Sequence, residues 1–295
     1  MKELIKVRLN SFFPEYMSKR DYLKHFKKRL RLDSPIEFSE KVQWVKLKVL
    51  PKSELIGKIS DKVGVREYLD EKGLNFLKTP VIGIYDKVDE IKWDELPNQF
   101  VAKKSNASGY NIVVTSKKNI QKKVFFKKMK QFLKWDFGKR SQQKHYSKGL
   151  NKIIIEPFME MENEYKFFVF SGKIHMCEIT QRIFEGIEKN GFHIGAGEFT
   201  KSYVDNNGNE IFPVTKKNER LIQLPFEYKE MCKYAEHLAD AFPFVRVDFY
   251  IVNNQILLSE LTFTPTNGLN WIFTDEYQKL LGDKFDLSHI ENYFE

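Results

Sequence analysis

Through residues 1–60, apolar side chains recur at three- and four-residue spacings between charges, in LKHFKKRLRL and FSEKVQWVKLKVL, and this spacing predicts helices. Ser39, just ahead of Glu40, is placed to start the second of them. SDKVGVREYLDEKGL reads as a capped helix, with Ser60 as N-cap, Val63 and Leu69 among its apolar positions and Gly73 at its end. From Lys78 the period shortens. TPVIGIY, QFVAK and NIVVT are β-branched or aromatic runs separated by turn-like stretches, predicting strand, loop, strand, small loop, strand. Residues 117–137 then return to helical spacing, with Val124, Met129, Phe132 and Leu133 as the buried stripe.

NKIIIEPFM and EYKFFVFSGKIHMCEI follow as strands. The segment from Phe184 to Glu210 is polar and glycine-containing; it reads as a long loop or a pair of short hairpins, the kind of segment that serves as a lid or substrate loop. FEYKEMCKYAEHLADAF places Met231, Ala235, Leu238 and Phe242 on one helical face, and PFVRVDFYIVNNQILLSELTFTP is a β-hairpin turning at Asn253-Asn254.

Charge changes the picture. Of the 49 basic side chains, 35 lie in residues 1–150 against 17 acidic ones, whereas residues 151–295 hold 14 basic and 23 acidic. A basic front half suits a polyanionic partner, and the acidic back half is where metal ligands are expected. Two cysteines, Cys177 and Cys232, cannot frame a fold of 295 residues with disulfides, and the opening MKELIKVRLNSFF offers no signal-peptide apolar run. No stretch has the roughly 18 apolar residues of a membrane span, so a cytoplasmic location is expected.

The hairpin carries the sharpest chemistry. Along VRVDFY, Arg246, Asp248 and Tyr250 alternate with Val245, Val247 and Phe249; on the second strand Glu260 and Thr262 share a face. A two-residue turn pairs Asp248 with Ser259 and sends Glu260 to the opposite face, whereas a bulge or an odd-length turn unites the two carboxylates. United, they suit Mg²⁺; apart, they are solvated strand charges. In FVAKKSNASG a strand ends at Lys103, and small residues up to Gly109 can bring backbone N–H groups to phosphate oxygens, although an ordinary hairpin turn has the same look. IIIEPFM can offer backbone groups to a planar ring between apolar side chains, and Glu164 and Lys166 share a face of the next strand. The chain has no GxxxxGK[ST], GxGxxG, HExxH, CxxC or GxSxG, and among six scattered histidines His193 alone lies in the long loop.

In order, DKVGVREYL, LPNQFVAKKSNASGYNIVV, IIIEPFM, EYKFFVFSGK, Gln181-Arg182, FPFVRVDFY and ELTFTPTNG resemble the TupA-like ATP-grasp proteins over roughly residues 40 to 285. That family is associated with teichuronopeptide and capsular polysaccharide assembly. The resemblance implies an α+β ATP-grasp fold in which two subdomains sandwich ATP: a helical region 1–60, a small subdomain 61–150 and a large subdomain 151–295. It implies that Lys62 and Lys103 reach the phosphates, with Ser105, Asn106, Ser108 and Gly109 covering them. Glu156 and Phe158 fall at the adenine hinge and Glu164 at the ribose. Asp248 and Glu260 match the Mg²⁺ carboxylates, and Thr262, implied as a further Mg²⁺ ligand through its hydroxyl, stands where such ligases usually have Asn. Arg246, Lys166 and Arg182 are the implied catalytic cations; His193, Thr264, Asn267 and Gly268 are the implied substrate contacts.

The implied reaction joins a carboxylate to an amine through an acyl phosphate. The expected partners are a small-molecule amine and an acidic glycan or lipid-linked sugar, with no nucleic acid, in the cytoplasm or at the inner face of a membrane. Two other readings stay open: an ATP-grasp phosphotransferase acting on a glycan hydroxyl, and a non-enzymatic polyanion-binding protein.

Overall fold

The computed structural model describes residues 2–161, 163–183, 192–194, 198–214 and 223–294. Helices dominate the first sixty residues, as the spacing predicts: α1 (Lys2–Phe12), α2 (Pro14–Phe26), α3 (Phe38–Lys48) and α4 (Glu54–Ile59). The caps differ from expectation. Glu37, not Ser39, starts α3: its carboxylate and that of Glu40 form a reciprocal capping box, satisfying N–H groups that helix ends leave unpaired. Ser60 closes α4 rather than opening the next helix. Asp61 takes the capping role, accepting from the N–H groups of Val63 (2.8 Å) and Gly64 (3.2 Å) ahead of α5 (Val65–Glu71). Gly73 ends this segment in the left-handed region, at φ 70°.

Among the described residues, ten strands form two five-stranded antiparallel sheets. β1 (Gly83–Tyr85), β2 (Phe100–Lys104), β3 (Asn111–Val114), β4 (Ile153–Pro157) and β7 (Phe192–Ile194) make the first, in the order β1-β4-β2-β3-β7. β5 (Asn163–Phe170), β6 (Lys173–Ile183), β8 (Glu198–Val204), β9 (Val245–Val252) and β10 (Gln255–Thr262) make the second, in the order β10-β9-β5-β6-β8. The polar segment expected to be a long loop or a pair of short hairpins contributes an edge strand to each sheet, and residues 184–191 and 195–197 lie outside the described residues, with the lid expectation. β4 pairs with β1 and β2, so the change of sheet falls after Pro157 rather than at residue 150.

Each sheet buries one face. Phe100 and Ala102 of β2, Ile112 and Val114 of β3 and Ile153 and Ile155 of β4 pack on α6 (Lys122–Lys134). That helix is shorter than the 117–137 expected and is followed by the short α7 (Phe137–Ser141); Phe125 joins Met129 and Phe132 in its buried stripe while Val124 and Leu133 are only partly covered. The second sheet buries Val245, Val247 and Phe249 against α8 (Tyr228–Ala239), α3 and α9 (Asp275–Lys284). Helix α3 is thus part of this core and not of a separate N-terminal unit: Phe38 sits edge-on to Phe244 at 5.0 Å, and Phe170 meets the same ring at 4.8 Å. A fully buried phenylalanine stabilises by about 1.5–3 kcal/mol, which is where the high aromatic content is used. Period-two alternation leaves the opposite faces of both sheets free for polar side chains, and between them lies a cleft.

Candidate active site

Residues of both sheets line the cleft, whose volume is about 670 Å³. From the first sheet come Val101, Lys103, Asn111, Val113 and Glu156, continued by Pro157 to Met161; from the second come Glu164, Lys166, Arg246, Asp248, Tyr250 and Glu260.

Local anchors place the lysines. Asp61 accepts from Ser105 Oγ (2.8 Å) and from the Leu150 N–H (2.9 Å), and the Lys62 N–H donates to the Ser105 carbonyl (3.0 Å). This lattice sets Lys62 under the 105–109 loop, where its ammonium donates to the Ala107 carbonyl at 2.8 Å. Burial lowers the Lys62 pKa, and the carboxylate of Glu260 opposes that effect. Lys103 is ion-paired to Glu156, whose other oxygen accepts from Thr79 Oγ1 at 2.9 Å. Ser108 and Gly109 line the cleft, Gly109 at φ 72° with open space where a Cβ would stand. Ser105 and Asn106 do not: Ser105 is tied to Asp61 and to the Lys152 N–H, and Asn106 donates to the Tyr146 carbonyl at 2.9 Å.

On the second sheet the hairpin resolves the question left by alternation. Asn253 and Asn254 form a two-residue turn with φ of 51° and 61°, which taken alone would set Ser259 opposite Asp248. A bulge between Leu258 and Glu260 adds one residue and resets the parity, so Glu260 stands directly opposite Asp248 and Thr262 opposite Arg246. The register continues across the sheet. Asp248 faces Lys166, Lys166 faces Glu178 and Glu178 faces Tyr203, so one polar row crosses all five strands from Glu260 to Tyr203.

Charge in that row is closely matched. Arg246 grips Asp248 with two hydrogen bonds, 2.7 and 2.6 Å, and reaches Glu260 and Thr262 at 3.3 Å. Burial would weaken the Arg246 charge, but Asp248 raises its pKa and keeps it cationic. Thr262 donates to Glu260 at 2.7 Å; it steadies a carboxylate and lies outside the cleft lining. Glu164 accepts from Ser259 Oγ (3.0 Å) and pairs with Lys166 (3.2 Å). Glu178, buried, collects Lys201 (2.8 Å), Lys166 (3.9 Å) and the Tyr203 hydroxyl (3.2 Å); burial raises its pKa, but Lys201 and Lys166 prevail and lower it.

Among the described residues no group of three or more His, Cys, Asp or Glu converges as a metal site. The fit to Mg²⁺ therefore rests on the opposed pair Asp248 and Glu260, since Mg²⁺ takes one or two carboxylates and fills its remaining positions with water and phosphate oxygens.

Three residues expected to meet substrate lie elsewhere. Thr264 donates to the Gln143 side chain, Gly268 packs on Gln43 and Val42, and Asn267 accepts from Gln43 (2.9 Å) and Lys46 (3.2 Å), so the 264–268 turn is fastened to α3 and not to the cleft. Lys46 is fully buried there, and burial pulls its pKa to about 7. The side chains of Arg182 and His193 lie outside the described residues. Sequence reasoning passed over Asp61, Thr79, Glu178, Lys201 and Tyr203. Glu178 did leave a trace, as a lone acid inside the apolar run HMCEI.

Two α+β layers with facing sheets, lysines projecting from one and paired carboxylates from the other, define an ATP-grasp fold. The sequence model of the TupA-like ATPgrasp family matches residues 40–286, and the chain belongs to that family. A D-alanine–D-alanine ligase of Sulfurimonas denitrificans is 30% identical over 131 residues, 42% of this chain, and the chain spans only 33% of that ligase's length. Similar solved structures include the D-alanine–D-alanine ligase of Bacillus anthracis, with a TM-score of 0.47 and 16% identity over 80% of this chain and 66% of that one. The L-amino acid ligase of Bacillus licheniformis has a TM-score of 0.46 and 13% identity, covering 82% of this chain and 52% of its own. Membership places the protein among the ATP-grasp proteins.

Proposed function

We propose that this chain uses ATP and Mg²⁺ to join a carboxylate to an amine, the carboxylate being a uronic acid of a surface polysaccharide or its lipid-linked precursor. The observation that carries the reading is the direct opposition of Asp248 and Glu260, facing Lys62 and Lys103 across the cleft. A carboxylate is a poor acyl donor because its oxygen leaves badly. When a carboxylate oxygen attacks the γ-phosphorus of ATP, ADP departs and an acyl phosphate forms, whose leaving group is a stable phosphate. The amine nitrogen then attacks the acyl carbon, the C–O bond breaks with its electrons on phosphate, and the ammonium sheds a proton.

The chain's part is positioning and charge neutralisation. Lys62 and Lys103 hold the phosphates from the first sheet's side of the cleft, beneath the loop of Ser108 and Gly109. Pro157, Phe158 and Met159 receive the adenine, and Glu164 receives the ribose. Asp248 and Glu260 would hold Mg²⁺, which would supply charge to steady the phosphoryl group in transfer. Arg246 orients the reacting acyl group, and Lys166, between Glu164 and Glu178, draws the acidic substrate. A polyanionic acceptor is supported by the exposed lysines of α6, Lys123, Lys127, Lys130 and Lys134.

The test mixes ATP, Mg²⁺, a uronate oligosaccharide and an amine pool. Equal amounts of ADP and phosphate should appear together with an amide product by mass spectrometry. Asp248→Asn should lower the rate by about a thousandfold, as loss of an electrostatic group at the reacting centre does. Phosphorylated glycan without free phosphate would mark a phosphotransferase instead, and absence of ADP in every mixture would end the enzyme reading.

A further inference from the structure

The inner sides of α1 and α2 are fastened to the body: Asn10 donates to the Arg140 carbonyl at 2.6 Å, Ser18 to Gln142 at 2.6 Å, and Met17 and Tyr22 are buried. The outer sides are left uncovered by the described residues. Phe12 is 74% exposed, Tyr16 66% and Phe13 58%, at the corner where α1 ends and α2 begins. Ile5 and Leu23 extend the apolar stripe, each seven residues from Phe12 or Tyr16, so each lies on the same side of its helix as that ring. Five of the fifteen large apolar side chains exposed in the described residues thus fall between Ile5 and Leu23.

Cations share this outward side. Arg8 lies between Ile5 and Phe12, Lys19 and Arg20 flank Tyr16 and Leu23, and Lys27 follows at the end of α2. Lys19 and Arg20 pair with Glu15 and Asp21, whereas Arg8 and Lys27 have no ion pair among the described residues. Isolated exposed apolar residues are ordinary, but a run of aromatics among cations is the composition of a helix lying in a lipid headgroup layer, rings in the acyl boundary and cations on anionic headgroups. Arg8, Lys19, Arg20 and Lys27 outnumber Glu15 and Asp21, so the face carries a net positive charge that suits an anionic surface better than a second copy of itself. Among the described residues no helix is long and apolar enough to cross a membrane, so the surface can dock but not span.

We infer that the α1–α2 corner is a docking surface for an anionic bilayer, with Phe12, Phe13 and Tyr16 as the inserted anchor and the surrounding Lys and Arg as the electrostatic attraction. The site is independent of the cleft and does not depend on which reaction the cleft performs. Each basic residue near an anionic membrane contributes roughly 1 kcal/mol, so affinity should fall steeply with salt.

The experiment is co-sedimentation of the full chain with vesicles of phosphatidylcholine alone or with about 30% phosphatidylglycerol, enough to give the negative surface that basic residues sense. Binding should be confined to the anionic vesicles and weaken as salt rises. The triple variant Phe12→Ser/Phe13→Ser/Tyr16→Ser should bind at least about tenfold more weakly with an unchanged melting temperature, since exposed side chains contribute little to folding. Arg8→Glu/Lys27→Glu should lose a similar factor while keeping its rings. Equal sedimentation with both lipids, or wild-type binding by the triple variant, would overturn the inference. So would a concentration-dependent dimer of the wild type that the triple variant abolishes, since the rings would then be a self-association surface.

Discussion

The two sheets meet at one cleft, but they place their charges by different means. On the side of the first, each lysine answers to its neighbours in sequence or to a single partner: Lys62 follows the Asp61 cap, and Lys103, the last residue but one of β2, pairs with Glu156. In the second, the charges form a row that exists only by register, Glu260 to Asp248 to Lys166 to Glu178, drawn from four strands. A charge held by one partner can be removed at modest cost to the fold. A charge inside a buried row cannot, because its neighbours were desolvated on the strength of its presence.

Three substitutions exploit this contrast. Glu178→Ala should have the largest effect on the fold, because it removes the buried carboxylate that Lys201 (2.8 Å) and Lys166 (3.9 Å) share. Urea denaturation should show a loss of about 3–5 kcal/mol, the cost of breaking a buried pair from one side. Lys103→Met should act chiefly on binding, weakening nucleotide affinity by roughly 10- to 100-fold in calorimetry, as loss of one charge-assisted contact does. Its stability should fall much less, because Thr79 continues to hold Glu156. Deleting Ser259 should have the smallest effect. The bulge residue is the one the ladder can spare: without it Glu260 follows Leu258 directly and still stands opposite Asp248. The expected loss is the Ser259–Glu164 hydrogen bond, about 1 kcal/mol in denaturation, with nucleotide binding retained. A deletion that abolished binding would show that the bulge shapes the site rather than only setting its parity.

Much of this was legible in the chain. Alternation in VRVDFY correctly put Arg246, Asp248 and Tyr250 on one face and Val245, Val247 and Phe249 in the core. The cleft lysine Lys103 near the end of β2 and the small-residue loop after it were also visible, although Ser105 and Asn106 turned out to brace that loop from behind. The caps were misread where two candidates stood side by side. Ser60 and Asp61, like Ser39 and Glu37, differ only in which side chain reaches the free N–H groups, and that is decided by the chain's direction on leaving the previous element. The 264–268 turn was misplaced for a longer-range reason. It lies just beyond the acidic strand in sequence, but its partners, Gln43 and Lys46, are more than two hundred residues away.

Local order in the chain determined the strands, the amphipathic helices and the polar face of each strand, because periodicity is a property of adjacent residues and each period buries one side. Tertiary structure alone decided that Glu260 faces Asp248, that Glu178 closes the row, and that β4 belongs with the lysines. Those facts depend on register, a bulge and strand order, which are settled by the packing of distant segments and leave no spacing in the sequence to be read.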